Sequence, residues 1–263
     1  MSKLHFILLV TTLACNACNQ VLNKSTSETK LTWAEKNIVV NEKNCKAVDC
    51  AFADFRYVVF SGIGADSLNK QIEEIMGSSF IGDSLVIATP KTSAENFITA
   101  FENNKLQFPS DTIKWKLDRQ IRTDTLLENI VSLRYDESSV TGGSSISFTF
   151  YSHFQIAPYK TFWLADFLSS PDDTLLVAAI AEAIFRDKAE LAADEDLVEA
   201  GYLFPKGKFK LNENFHFTED GLEFHYNINE AVPAQMGEYK LEIPYNKIER
   251  FLKPSIFKTT TKS

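Results

Sequence analysis

Several things are missing from this chain, and each absence removes a class of function. No apolar run approaches the roughly 20 residues that a membrane-spanning helix needs, so no transmembrane helix is expected. Clusters of lysine and arginine are absent too. The 27 basic residues are scattered among 35 acidic ones, for a net charge of −8, which argues against a nucleic-acid partner. An acidic body attracts basic proteins, but a charge of this size also serves plain solubility. Histidine is scarce, with four residues in all. No Gly-x-Ser-x-Gly elbow, His-Glu-x-x-His pair, glycine-rich phosphate loop or Cys/His nucleophile signature occurs. Carboxylates are abundant, so an acid and base pair is not excluded. The contiguous Asp194, Glu195 and Asp196 read as a solvated helix face instead. No cofactor is expected.

What is present begins with the amino terminus. Lys3 opens a short basic stretch, Phe6 to Val10 is apolar, and small residues lead to Leu13-Ala14-Cys15. This is the layout of a secretory signal. Its end resembles a bacterial lipobox, in which Cys15 is lipidated and becomes the first mature residue. Ordinary cleavage near Ala17 is the alternative, and it leaves Cys18 as a spare thiol. Residues 15–35 are polar, with too little apolar surface to offset the entropy of ordering, and read as a tether. Only Cys45 and Cys50 lie in the folded part. In an oxidising compartment two such cysteines pair as a disulfide. Zinc would need about four ligands, and no second pair completes the shell.

Beyond the tether, periodicity sets the expected elements. Phe52 to Phe60 is aromatic and β-branched and reads as a buried strand. Asp66 offers an N-cap to a helix carrying Leu68, Ile72, Ile75 and Met76 on one face. Thr92 and Glu95 form a capping box for a second helix with Phe97, Ile98 and Phe101, closed before Pro109. The period then changes to two. Ile113, Trp115 and Leu117, then Val131, Leu133 and Tyr135, then Ile146 to Ile156 predict an antiparallel meander. Its last turn is Thr141-Gly142-Gly143-Ser144, where paired glycines permit positive φ. Asp173 caps a helix from Leu175 to Arg186 with a stripe of Leu176, Ala179, Ile180, Ala183 and Ile184. The few charges on its other face predict deep burial. Lys188 to Ala200 reads as an exposed acidic helix that stops at Gly201.

The carboxyl-terminal part returns to strands at Phe215-Phe217, Leu222-Ile228 and Tyr239-Tyr245, before a short helix from Lys247 to Leu252. If Asp220-Gly221 form a two-residue hairpin turn, Phe217 pairs with Phe224 and His216 faces His225. Glu223 lies on the same face. Two histidines could begin a metal site, but two ligands do not complete one, and a solvated polar face is the simpler reading. His153, among aromatics, reads as a strand-face residue.

Certain segments resemble a known family. They are Thr141-Gly142-Gly143 before a strand, Tyr159 to Leu168 before a long helix, and Phe217 to Tyr226 followed by Met236 to Tyr245. Together they are similar to the extracytoplasmic bacterial domain of unknown function shared by the RsiV anti-sigma factor and the PdaC peptidoglycan deacetylase. Phe52 to Ser79 is similar to its companion module. The resemblance implies an envelope sensing or binding role, associated in RsiV with lysozyme recognition. Ser144-Ser145 stand where that family often has Ala-His, so no role for that histidine transfers.

The expectation is an α+β chain with antiparallel sheets packed on a few helices. It comprises a signal peptide (1–14), tether (15–35), companion module (36–138) and RsiV-like module (139–257). The expected protein is a non-catalytic, lipid-anchored binding module of the cell envelope, its partner a lysozyme-like hydrolase or peptidoglycan. A glycan hydrolase using a carboxylate pair and a purely structural lipoprotein are the alternatives.

Overall fold

The computed structural model describes residues 31–254, apart from 44, 46–49, 82, 83 and 128. The signal, Cys15 and the tether through residue 30 lie outside the described residues. The first strand, β1 (Thr32–Asn41), begins inside the span assigned to the tether. It pairs antiparallel with β2 (Phe52–Ser61). A disulfide between Cys45 and Cys50 ties the connection between them. The two cysteines are only 5 residues apart in sequence, so closing so short a loop adds modest stability.

Two helices follow, α1 (Ala65–Gly77) and α2 (Pro90–Gln107), separated by the small hairpin β3 (Ser78–Ile81) and β4 (Ser84–Ile87). The helix starts differ from expectation. Gly64, not Asp66, precedes α1, with φ of 78°. A Cβ at Gly64 would sit 2.4 Å from Ile156 Cγ2, so glycine meets both a backbone and a packing demand there. For α2 the cap lies one turn earlier than Thr92. Thr89 Oγ1 accepts from the Thr92 amide, with Pro90 in the first turn, where its missing N–H costs nothing.

The helical crossover lets β5 (Lys116–Leu127) run parallel to β2. A meander then adds β6 (Ile130–Thr141), β7 (Ser144–Gln155) and the short β8 (Lys160–Phe162). The six-stranded sheet has the order β1-β2-β5-β6-β7-β8. Gly142 and Gly143, at φ 51° and 84°, make the two-residue β6–β7 turn with positive φ at both positions. Ile113 and Trp115 lie before β5 and are not part of it, a correction to the alternation read there. Trp115 instead packs on Phe97 and Phe101 of α2.

Past β8 come α3 (Leu164–Phe167), α4 (Asp173–Lys188), a three-stranded sheet and α5 (Tyr245–Ile248). That sheet consists of β9 (Phe215–Phe217), β10 (Gly221–Tyr226) and β11 (Tyr239–Pro244), with β10 central. Two large cores result, and they fall on opposite faces of the six-stranded sheet. One joins Phe55, Leu68, Ile72, Met76, Leu117 and Leu133 under α1 and α2. The other joins Ile130, Phe167, Phe185, Phe215, Phe224 and Ile243. The packing units therefore change after β7. The boundary placed at 138/139 falls within β6.

Two helical expectations need correction. The buried stripe of α4 is Val177, Ala181 and Phe185, one position on from the predicted set, and Leu176 is 51% exposed. The helix packs along that stripe, with Ile180 and Ile184 half-buried beside it against the same core, while Leu175 stays 78% exposed. The apolar residues on its other side face outward. Residues 189–200 form turns instead of a helix. Asp196 Oδ1 accepts from the amides of Val198 and Glu199, a local bond that competes with helix formation. The buried Leu197 is pinned beneath. Phe185 contacts the rings of Tyr202, Phe204, Phe209 and Tyr239. Phe185→Ala should therefore cost about 3–5 kcal/mol of stability. Leu176→Ala should change it by about 0.5 kcal/mol or less, both read by urea unfolding.

Candidate functional site

The helices cover β2, part of β5, and Val131, Leu133 and Phe154 on β6 and β7, but leave the rest of that face, from Tyr135 to Ser139 on β6 and from Ile146 to Phe150 on β7, open. A groove of about 980 Å³ results, walled by α2 and floored by the sheet. Alternation on the strands decides which residues line it. On the floor, Leu117 and Arg119 of β5 lie beside Ser139 and Glu137 of β6. These lie in turn beside Ile146 and Phe148 of β7. Tyr135 and Phe150 extend the row. The rings of Tyr135, Phe148 and Phe150 follow one another at 5.7 and 5.4 Å. Ile146 and Phe150 remain 54% and 43% exposed, which is unusual for large side chains on one face of a sheet. The wall is the polar side of α2, with Asn96, Thr99 and Asn103.

At the floor's centre lies a buried cation. Arg119 Nε donates to Glu137 Oε2 at 2.7 Å. Its Nη1 donates to the carbonyls of Met76 and Ser78 at 2.9 and 2.7 Å, and to Ser93 Oγ at 3.3 Å. The guanidinium also sits 5.0 Å from the Phe55 ring centre. Arginine suits this position because its planar fork serves several acceptors at once without losing charge. Tyr135 donates its hydroxyl to Glu137 as well. Burial raises the Tyr135 pKa far above the ordinary phenol value, so it serves as a hydrogen-bond donor. Glu137 is the one carboxylate among the groove's lining residues. Glycan hydrolysis by paired carboxylates needs a second one opposite it. The groove thus offers apolar contact, hydroxyl and amide donors, and a neutralised ion pair, a set suited to holding a ligand.

The histidines singled out in the sequence sit elsewhere, in a seam between the two sheets. The β9–β10 register pairs Glu223 with His216 and Leu222 with Phe217. The turn is centred on Glu219-Asp220, one residue before Asp220-Gly221, because Thr218 closes it through bonds with Gly221. His216 therefore does not face His225, which corrects the turn placed at Asp220-Gly221. His216 stacks on Tyr151 at 4.3 Å. It lies 3.2 Å from Glu223 and 3.5 Å from Asp124. Asp124 reaches it from a register break in β5 between Thr123 and Thr125, as bulges re-aim side chains. His225 is buried beside Glu238 at 3.5 Å. No metal-holding group of histidine, cysteine or carboxylate residues occurs among the described residues.

His153 is buried on the back of β7, between Ser132 Oγ at 2.7 Å and the Phe215 carbonyl at 3.0 Å. It bridges the units as a neutral ring. Asn214 and Asn227 complete the seam. Their side chains accept from the Tyr151 and Thr149 amides and donate to the Thr149 carbonyl. They occupy the outer edge of β7 as a neighbouring strand would.

The groove and its Arg119–Glu137 pair went unnoticed in the sequence. The available signal was phase: Arg119 falls on the apolar phase of Leu117 and Ile121, and Glu137 on that of Leu133 and Tyr135.

Against this geometry, residues 165–246 match the model of a family described as "Protein of unknown function (DUF3298)". The match spans α4 and the three-stranded sheet, and the groove lies outside it. Among solved structures, the chain resembles a DUF3298-family member from Bacteroides fragilis, at 16% identity and a TM-score of 0.65. The alignment covers 89% of this chain and 98% of that one. It also resembles a DUF3298-family protein from Pseudomonas aeruginosa PAO1, again at 16% identity, with a TM-score of 0.59. There the coverage is 87% of this chain and 97% of that one. At such identity the likeness speaks to the fold. No curated protein matches the chain.

Removing the buried cation should be costly. Arg119→Met leaves Glu137 without its counter-charge and should lower stability by about 3–5 kcal/mol. Glu137→Gln should cost less, both measured by chemical denaturation. The seam histidines should give opposite pH dependences. Burial opposes charging of His216, but bonds and charge from Asp124 and Glu223 override it and raise its pKa above 6.5. Its stabilisation is complete below 6.5 and fades as pH rises through that raised value. Burial lowers the His153 pKa from 6.5 to about 4, so its stabilisation fades as pH falls across that interval. Urea melts across pH should show His216→Gln flattening the alkaline arm and His153→Asn the acid arm.

Proposed function

We propose that this chain is a lipid-anchored binding module of the bacterial cell envelope, whose ligand seats in the groove over β5, β6 and β7. The groove is the observation that carries the reading. Its exposed Ile146 and Phe150, flanked by hydroxyls and amides and set over a buried ion pair, favour recognition over chemistry. The leader ending in Leu13-Ala14-Cys15 supports lipidation of Cys15, and the disulfide between Cys45 and Cys50 fits an oxidising compartment. The similarity to domains of an anti-sigma factor and a peptidoglycan deacetylase supports an envelope partner. A lysozyme-like hydrolase and a peptidoglycan fragment are the two that this similarity suggests. The hydrolase alternative lacks a second carboxylate in the groove, and the purely structural alternative leaves the open apolar floor without a use.

Immobilised lysozymes and purified sacculus should each be tested for retention of the mature protein. One of them should retain the wild type, and Ile146→Glu should weaken retention roughly tenfold, since it places a charge on the apolar floor. Absence of retention on both would count against the reading. Cys15→Ala should abolish palmitate labelling and move the protein from the membrane to the soluble fraction.

A further inference from the structure

The groove is open along one side, and that side is the outer edge of β7. The backbone of Thr149 turns its N–H and C=O away from β6, toward Asn214 and Asn227, and the Tyr151 amide does the same. Because a strand repeats every two residues, Ser147 and Ser145 turn their backbone groups the same way. No strand, side chain or turn meets them among the described residues. β8 covers only His153 to Gln155, and the asparagines reach only Thr149 and Tyr151. Ser144 to Phe148 is thus a bare edge.

Bare edges are ordinarily blunted by lysine, proline or a bulge, because their unpaired groups template another strand. This one has none of these. Ser144 to Ser152 reads Ser-Ser-Ile-Ser-Phe-Thr-Phe-Tyr-Ser, without a charge or a proline, and its pairing with β6 runs unbroken from Thr141/Ser144 onward. On its groove side it presents Ile146, Phe148 and Phe150. The nearest charges beneath, Arg119 and Glu137, cancel each other.

We infer that the edge of β7 from Ser144 to Phe148 receives an extended, uncharged peptide segment of a partner protein, added to the six-stranded sheet as a seventh strand. The edge supplies main-chain hydrogen bonds through Ser145 and Ser147. The groove takes every second side chain of the incoming strand, apolar or aromatic to match Ile146, Phe148 and Phe150. The remaining side chains project to the opposite face, beside the serine hydroxyls. This inference rests on the groove being the ligand site, and it selects a protein strand as the ligand over a glycan.

The test uses the mature protein and a fluorescein-labelled heptapeptide of alternating threonine and apolar residues, Thr-Val-Thr-Phe-Thr-Val-Thr, read by anisotropy. Ser147→Pro removes one outward N–H without touching the β6 ladder, a position where an edge strand tolerates proline. It should retain the wild-type unfolding midpoint while weakening peptide binding roughly tenfold or more. Should that variant misfold, hydrogen exchange on the wild type gives the same answer, because the peptide should slow the Ser145 and Ser147 amides specifically. Binding lost in Ile146→Glu but kept in Ser147→Pro, or exchange unaltered at both amides, overturns the strand and leaves the groove standing. No peptide binding to the wild type also overturns it, while retention on sacculus or lysozyme judges the groove separately. A wild-type dimer in ultracentrifugation that Ser147→Pro makes monomeric would assign the edge to a second copy of this chain and overturn the partner strand.

Discussion

The amino-terminal half is organised around one buried guanidinium. Arg119 stands on β5 where the sheet meets both helices, and it bonds the end of α1 at Met76, the start of β3 at Ser78, the first turns of α2 at Ser93, and Glu137 on β6. These elements would otherwise leave carbonyls and a carboxylate buried and unpaired, at a cost of about 1–3 kcal/mol or more each. A single cation resolves all of them. The crossover between the parallel strands β2 and β5 is thereby held to the sheet at its turning point. The groove lies beside this cation, where α1 and α2 stop short of Tyr135 to Ser139 on β6 and of Ile146 to Phe150 on β7.

The second half is attached by polar groups as much as by apolar ones. Asn214 and Asn227 imitate a strand against Thr149 and Tyr151, His153 joins Ser132 to the Phe215 carbonyl, and His216 lies between carboxylates from both sheets. Aromatic packing around Phe167 and Phe215 fills the space between these bonds. Directional bonds set the register of one sheet against the other more tightly than apolar contact would. This leaves the carboxyl-terminal unit in control of how much of the β7 edge is covered. Its cover ends at Thr149, and the uncharged remainder of the strand lies along the groove.

Most elements were legible in the sequence, and the failures have local causes. Strands β6, β7, β10 and β11 announce themselves by alternation, β2 by its aromatic and β-branched run, and α1 by its three- and four-residue spacing. The spacing predicts α4, but puts its buried stripe one residue early, because leucine, isoleucine and alanine occupy most of its circumference and few charges fix the phase. The acidic stretch after it looked helical by composition, whereas Asp196 bonds its own following amides and Leu197 is drawn into the core. Among candidate sites, the sequence puts His216 and Glu223 on one face and they are adjacent, while His225 is out of register because the turn centres one residue before Asp220-Gly221. Arg119 and Glu137 escaped notice because each is a lone charge in an apolar alternation, and they lie 18 residues apart in the chain.

By itself, the sequence determined the α+β class, the order of most strands and helices, the cysteine pair that closes a disulfide, and the absence of recognisable catalytic motifs. These properties depend on residue type and spacing within a few turns of chain. Tertiary structure alone decided that the arginine and glutamate would meet, that the helices would leave half of one sheet face bare, and that the β7 edge would be covered only in part. Each of these is a contact, or a missing contact, between segments far apart in sequence, set by which surfaces pack first, and no local pattern encodes it.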